Sequence, residues 1–209
     1  MTRKFALGIV LGCLMAASAF ATPLQITSTA NSVINFDGTG NFGFVPGNGV
    51  DSFVFTLGGC VGCTGHIDGA FTIGAINGSS AAVSGVGDLT LTDLNAIQLT
   101  GKAAFTGLAA ISFPAEFGGG SVAGVRGTLL ATDLAYAGID PSLLALLNGG
   151  NISISFQSLG SLSPAYLAAN EFSSSFSGVI NPVPEPGTYA LMGFGLMGLA
   201  YIRRRQSSR

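Results

Sequence analysis

Apolar and polar residues alternate in short runs along most of the chain. Asn151–Leu159 is the clearest case: Ile152, Ile154 and Phe156 fall on one parity, and Ser153 and Ser155 on the other. Strict alternation is the signature of a strand with one buried face. Phe53, Phe55 and Leu57 share a face within residues 51–57. Ile67, Gly69, Phe71 and Ile73 do the same within 66–76. Residues 32–36, 81–92, 96–106 and 121–132 follow this style, and 172–180 supplies a last strand with Phe172, Phe176 and Val179 inward. Asp37-Gly38 and Asn77-Gly78 mark turns, because glycine and asparagine tolerate the backbone angles that tight reversals need.

One stretch of the body has a helical period instead. Asp140 is placed to cap a helix, Pro141 suits its first turn, residues 142–147 are mostly leucine, and Gly149 can end it. Residues 163–168 offer one further turn. Short strands with turns every 8–15 residues and no fixed-period repeat predict an all-β domain, an antiparallel sandwich or barrel with one short helix.

The two ends depart from this pattern. Arg3 and Lys4 precede an apolar run over 5–17, and Ala19-Phe20-Ala21 forms a small-x-small cleavage site, so residues 1–21 read as a secretory signal helix. Cys13 also permits a lipoprotein reading, but the apolar run continues past it to a better cleavage site. At the other end, Pro184 and Pro186 hold the chain extended. The 15 uncharged residues 188–202 follow, and then Arg203, Arg204 and Arg205. As a helix those 15 residues reach about 22 Å, short of a bilayer core of about 30 Å, so thinning and snorkelling arginines would have to make up the difference. A helix packed on a domain would need a polar face, and this one has none. The layout is a signal segment (1–21), a β-rich extracellular domain (22–182) and a sorting and anchor segment (183–209) with a transmembrane-like helix. Arginines at both ends favour the cytoplasmic side and leave the body outside.

The tail resembles the PEP-CTERM sorting signals of Gram-negative, biofilm-forming bacteria, on the strength of Pro184-Glu185-Pro186, the apolar run and the Arg203–205 cluster. The resemblance covers about an eighth of the chain. It implies recognition by exosortase, a membrane-embedded cysteine transpeptidase, at the inner membrane, cutting near the motif, and release of the body to the cell surface or medium. It implies a route rather than an activity.

Composition narrows the role of the body. Of eight basic residues only Lys102 and Arg126 lie in it, against nine acids, for a net charge of −7. So few cations exclude nucleic-acid binding. Phenylalanine, isoleucine, leucine and valine supply enough apolar surface for a real core in about 160 residues.

Little catalytic chemistry is legible. Cys60-Val-Gly-Cys63 in an exported domain reads as a disulfide across a glycine-rich turn, joining 51–57 to 66–76. A redox role would need a helix N-terminus or a cation beside the sulfurs, and the following residues read as strand. Zinc would require reduced Cys60 and Cys63 with His66 and Asp68, and haem attachment would require a histidine directly after Cys63. His66 is the single histidine, which leaves room for at most one catalytic imidazole. Asp88, Asp93, Asp133 and Asp140 read as solvated turn and cap acids, with a hydrolytic carboxylate pair as the sharper option. The chain has no tryptophan, and Tyr136 and Tyr166 are the body's only tyrosines for stacking a sugar. No cofactor or metal is expected. The expected function is a non-enzymatic, structural or adhesive surface protein associated with exopolysaccharide and biofilm matrix. The alternatives are a carbohydrate-binding module and a secreted glycoside hydrolase.

Overall fold

The computed structural model describes residues 23–47, 49–112, 123–159 and 163–183, with Gly193, Gly195, Leu196, Gly198 and Arg203 of the tail. The signal segment, its cleavage residues Ala19 and Ala21, and Pro184-Glu185-Pro186, Arg204 and Arg205 lie outside the described residues. Among the described residues no helix is long and apolar enough to cross a membrane.

The strands are β1 (Leu24–Ser28), β2 (Val33–Asp37), β3 (Asn41–Val45), β4 (Phe53–Leu57), β5 (Thr64–Asp68), β6 (Phe71–Asn77), β7 (Ser80–Ser84), β8 (Val86–Thr92), β9 (Gln98–Ser112), β10 (Ala123–Tyr136), β11 (Asn151–Leu159), β12 (Glu171–Ser174) and β13 (Ser177–Val183). Two short helices, α1 (Pro141–Asn148) and α2 (Pro164–Ala169), flank β11. Every pairing is antiparallel. Eight strands, in the order β9-β10-β11-β13-β1-β4-β5-β8, close on themselves, so of the two expected architectures the chain adopts a barrel.

The other five strands branch from the barrel. The 15-residue β9 is longer than β8, and its free edge beyond Phe105 pairs with β7. From there β6, β3, β2 and β12 follow in order. Lysine is scarce, and closure protects the strands in its place: eight have no free edge, and the outermost strand, β12, is only four residues long.

Two runs expected as single strands are each broken in two. Residues 66–76 divide between β5 and β6, and 81–92 between β7 and β8. Together they form one long hairpin whose root belongs to the barrel and whose tip belongs to the second sheet. Glycines make the bend. A Cβ on Gly85 (φ +115°) would sit 2.6 Å from the Ala70 carbonyl, and one on Gly69 would sit 2.7 Å from Gly87 Cα. The expected strand 172–180 likewise separates into β12 and β13. Two strands had no expectation: β1, and β3 with Phe42 and Phe44.

Phenyl rings fill the interior. Phe105 lies 4.6 Å from Phe71, 5.0 Å from Phe42 and 5.5 Å from Phe156 between centroids, mostly edge to face. Phe44 reaches Phe156 (5.3 Å) and Phe176 (5.2 Å), so the second sheet closes over one end of the barrel. At the opposite end α1 packs on β10, β11 and β13 with Leu143 and Leu146 fully buried. Its start follows the expected chemistry: Asp140 Oδ1 accepts from the amides of Ser142 (2.9 Å) and Leu143 (3.0 Å), and Pro141 opens the first turn.

Candidate functional site

One group of polar side chains, with the two cysteines, gathers at the barrel end that carries α1. Three loops meet there: β4–β5 with the cysteines, β8–β9, and the segment from β10 into α1. Cys60 and Cys63 form a disulfide with Cα atoms 5.5 Å apart, and both are buried. A Cβ on Gly59 would fall 1.9 Å from Ser142 Oγ, so the cysteine loop lies directly on the first turn of α1. Sequence reading looked for a helix beside the cysteines only in the residues that follow them. The structure supplies one from 80 residues further along the chain.

This placement bears on both alternatives for the cysteines. The four residues that a zinc site would require, Cys60, Cys63, His66 and Asp68, are not brought together. Asp140, in place of His66 and Asp68, brings its carboxylate within 4.8 Å of the two sulfurs. The oxidised pair offers no thiolate, and the Asp140 oxygen already accepts two amides, so the donor set does not fit a cation. For redox chemistry, the helix end would favour a thiolate, but the neighbouring carboxylate opposes it and burial denies a partner access.

Asp93 departs from its expected solvated role. It is buried. Its Oδ1 accepts from the amides of Asn95 and Ile97, both at 2.8 Å, and closes the β8–β9 loop. Its Oδ2 accepts from Tyr136 Oη at 2.5 Å, and that oxygen in turn accepts from the Asp140 amide at 3.1 Å. The Tyr136 hydroxyl, and then the two loop amides, hold the Asp93 carboxyl below the ordinary carboxylate range against the opposing effect of burial. Burial first, and then the bond to Asp93, push the Tyr136 hydroxyl up. Tyr136 is therefore a strut between two loops, with its hydroxyl committed to Asp93 and the Asp140 amide. Tyr166 is exposed on α2 and lines none of the three shallow surface grooves.

Of the other candidate acids, Asp133 is exposed, with only the neighbouring Thr132 hydroxyl within reach at 3.5 Å. Asp88 is exposed and pairs with Lys102 across β8 and β9. Asp37 accepts from the amides of Thr39 (2.8 Å) and Asn41 (3.0 Å) and from their side chains; the Thr39 amide leads in lowering its pKa to about 2. His66 Nδ1 lies 2.6 Å from Ser52 Oγ. That pair has the spacing of a hydrolytic dyad, but Ser52 is fully buried and no carboxylate among the described residues bonds His66, so the serine cannot meet a substrate.

The outer wall carries several shallow grooves. Arg126 stands between two shallow grooves. One is lined by Gln25, Thr27, Thr56, Ser155 and Gln157 on neighbouring strands, and the other by Ser80, Thr106 and Thr128. Sequence reading singled out Arg126 only as one of two body cations. Its polar neighbours come from β1, β4, β7, β9, β10 and β11 and meet only when the barrel closes.

β13 pairs with β11 as far as Asn151↔Val183, at the rim occupied by α1. From there residues 182–205 match the PEP-CTERM protein-sorting motif. The motif marks the chain for export and sorting to the cell surface by exosortase. No curated protein and no solved structure matches the chain.

Proposed function

We propose that the chain is a non-enzymatic surface protein with a structural or adhesive role in exopolysaccharide-rich matrix. In this reading residues 1–21 are removed on export, the 188–202 run holds the precursor transiently in the inner membrane, and exosortase then cuts near Pro184-Glu185-Pro186. One observation carries the non-enzymatic part: the barrel lumen is filled. Phenylalanines and branched side chains occupy its inward positions, and rings lie over the glycines, with Phe53 above Gly65 and Phe156 above Gly127. A filled barrel has no interior for a substrate. A hydrolase reading draws no support from Asp88, Asp93 or Asp140, each of which already has a partner.

The test is fractionation of cells with and without exosortase, with mass spectrometry of the mature C-terminus. The expected result is a processed, surface-associated body that becomes a membrane-held precursor when exosortase is lost. Equal processing in both strains would refute the route. For the role, deletion of the gene should reduce the matrix retained by cells, and unchanged matrix would refute it.

A carbohydrate-binding reading has one observation in its favour, the hydroxyl and amide groove around Arg126. Side chains of this kind hydrogen-bond sugar hydroxyls, and a single guanidinium suits an acidic sugar. Arg126→Ala should weaken retention on acidic polysaccharide with little effect on a neutral one.

A further inference from the structure

The rim that carries α1 is apolar where it faces solvent. Val61 in the β4–β5 loop is 57% exposed, Leu57 at the end of β4 57%, Leu94 in the β8–β9 loop 70%, and Ile139 before α1 79%. Val61, Leu94 and Ile139 come from three loops, yet they lie around the disulfide, and Leu57 ends the strand that leads into it. A Cβ on Gly62 would lie 3.4 Å from Leu94 Cδ2, Val61 sits between Cys60 and Gly62, and Ile139 adjoins Asp140 beside the sulfurs. The charged groups of these loops, Asp93 and Asp140, point onto amides. Exposed large apolar side chains on one rim of an otherwise acidic body, in loops whose carboxylates are turned onto amides, mark a contact surface.

The chain itself indicates what covers that surface. Val183 leaves from the same rim, and four residues separate it from the apolar run at Thr188. At full extension that link spans about 17 Å, so the run starts close to the rim. The run does not itself cover the patch along its described part. Leu196 is 63% exposed, and a Cβ on Gly193, Gly195 or Gly198 would have nothing within 4 Å. The run is also short for a bilayer, which draws the attached body toward the lipid.

We infer that, in the anchored precursor, the rim formed by Leu57, Val61, Leu94 and Ile139 rests in the lipid interface of the membrane that holds the tail. The inference builds on the anchoring step proposed above. Seated this way, the barrel stands end-on, and the Pro184-Glu185-Pro186 link is held at the lipid surface, where a membrane-embedded transpeptidase works. Four side chains are weak anchorage on their own, so cutting the link frees the body.

The chain has no tryptophan, so each introduced one reports a single place. The experiment uses the full chain reconstituted in vesicles of phosphatidylethanolamine and phosphatidylglycerol, with and without bromine-labelled acyl chains. Leu94→Trp and Ile139→Trp probe the rim, Val50→Trp in the loop before β4 probes the opposite end, and Phe194→Trp probes the tail. The expected result is blue-shifted emission quenched by bromolipid for Leu94→Trp, Ile139→Trp and Phe194→Trp, with Val50→Trp unquenched. Quenching of Phe194→Trp alone overturns the rim proposal and leaves anchoring intact. Blue-shifted but unquenched rim probes also overturn it, because protein, from the tail or a second copy, then covers the patch. An unquenched Phe194→Trp overturns the anchoring step and the rim proposal with it.

Discussion

Tyr136 Oη donates to Asp93 Oδ2 at 2.5 Å across 43 positions of sequence, and this contact ties the β8–β9 loop to the segment that opens α1. The Asp140 amide donates to the same Tyr136 oxygen at 3.1 Å. One hydroxyl thus serves both the buried carboxylate and the start of the helix.

The pair predicts two pH limbs. The folded Asp93 carboxyl titrates below its unfolded value of about 3.9, so its stabilisation is present above that value and lost as pH falls through the lower folded one. Asp37, lowered to about 2, acts in the same direction. Folded Tyr136 titrates above its unfolded value of about 10, so its contribution is present below that value and lost as pH rises through the higher folded one. Thermal melts should therefore drop on both sides of a broad plateau. Tyr136→Phe should lower the melting temperature on the plateau, make the acid limb shallower and remove the alkaline limb. An unchanged profile in that variant would mean the contact does not form in solution.

The phenyl core predicts which glycines are replaceable. A Cβ on Gly127 would lie 2.2 Å from Phe156 Cζ and 3.0 Å from Phe105 Cε1, so Gly127→Ala must displace two rings that hold the barrel and second sheet together. Overpacking of this kind costs about 1–3 kcal/mol. On β6, by contrast, a Cβ at Gly74 meets its nearest neighbour, the Ala82 carbonyl, at 3.6 Å, which is ordinary contact. Gly74→Ala should therefore stabilise by about 0.4–1 kcal/mol through the unfolded chain. Urea unfolding of the two variants should move in opposite directions.

Where alternation was regular and both neighbours were ordinary strands, the chain could be read directly. Asn151–Leu159 is a strand between the expected ends, and Asp140, Pro141 and Gly149 bound the helix as their chemistry requires. The breaks at Gly69 and Gly85 were not readable, because alternation runs on through them: Ile67, Phe71 and Ile73 are all buried, but in different sheets. What makes those glycines bends is the approach of another strand, which is a tertiary fact. The same holds for the rim. Asp93 and Tyr136, or Cys60 and Asp140, are ordinary neighbours of turns until closure of the barrel brings their loops together. Asp93 did carry a local signal, since an aspartate two and four residues before free amides can close a loop by itself.

The disulfide closes a loop of four residues, for which chain entropy predicts only about 2 kcal/mol of stabilisation. Cys60→Ser with Cys63→Ser should exceed that loss, because two buried sulfurs become hydroxyls against α1. The single-variant controls would leave an odd thiol, so the double variant is the informative one. A loss well under 2 kcal/mol in urea unfolding would mean that the loop does not depend on its bridge.

Among the described residues, Ala96 is one of three other than glycine with positive φ, at +62°. The backbone is held there because Asp93 binds the amides on either side of it, at Asn95 and Ile97. An L side chain in that region costs about 1–2 kcal/mol, whereas glycine adds about 0.5–1 kcal/mol of chain entropy. Ala96→Gly should therefore raise stability by roughly 0.5 kcal/mol, measurable as a shift in urea midpoint, and a loss would mean the loop relaxes out of this conformation.

The last prediction concerns the link itself. β13 ends at Val183, with Pro182 and Val183 still paired to Ile152 and Asn151, so the ladder fixes the chain up to the residue before Pro184. Pro184 and Pro186 lack amide hydrogens and resist helix, which keeps the next residues from joining either the sheet or the apolar helix. Replacing Pro184-Glu185-Pro186 with three alanines removes both the recognised groups and that extended shape, since alanine is the best helix former. The expected product is an uncut precursor that stays with the membrane fraction while the barrel folds normally, as read by protection of the Cys60–Cys63 bridge from alkylation. If the altered chain matures and leaves the membrane at the normal rate, the motif does not direct its processing.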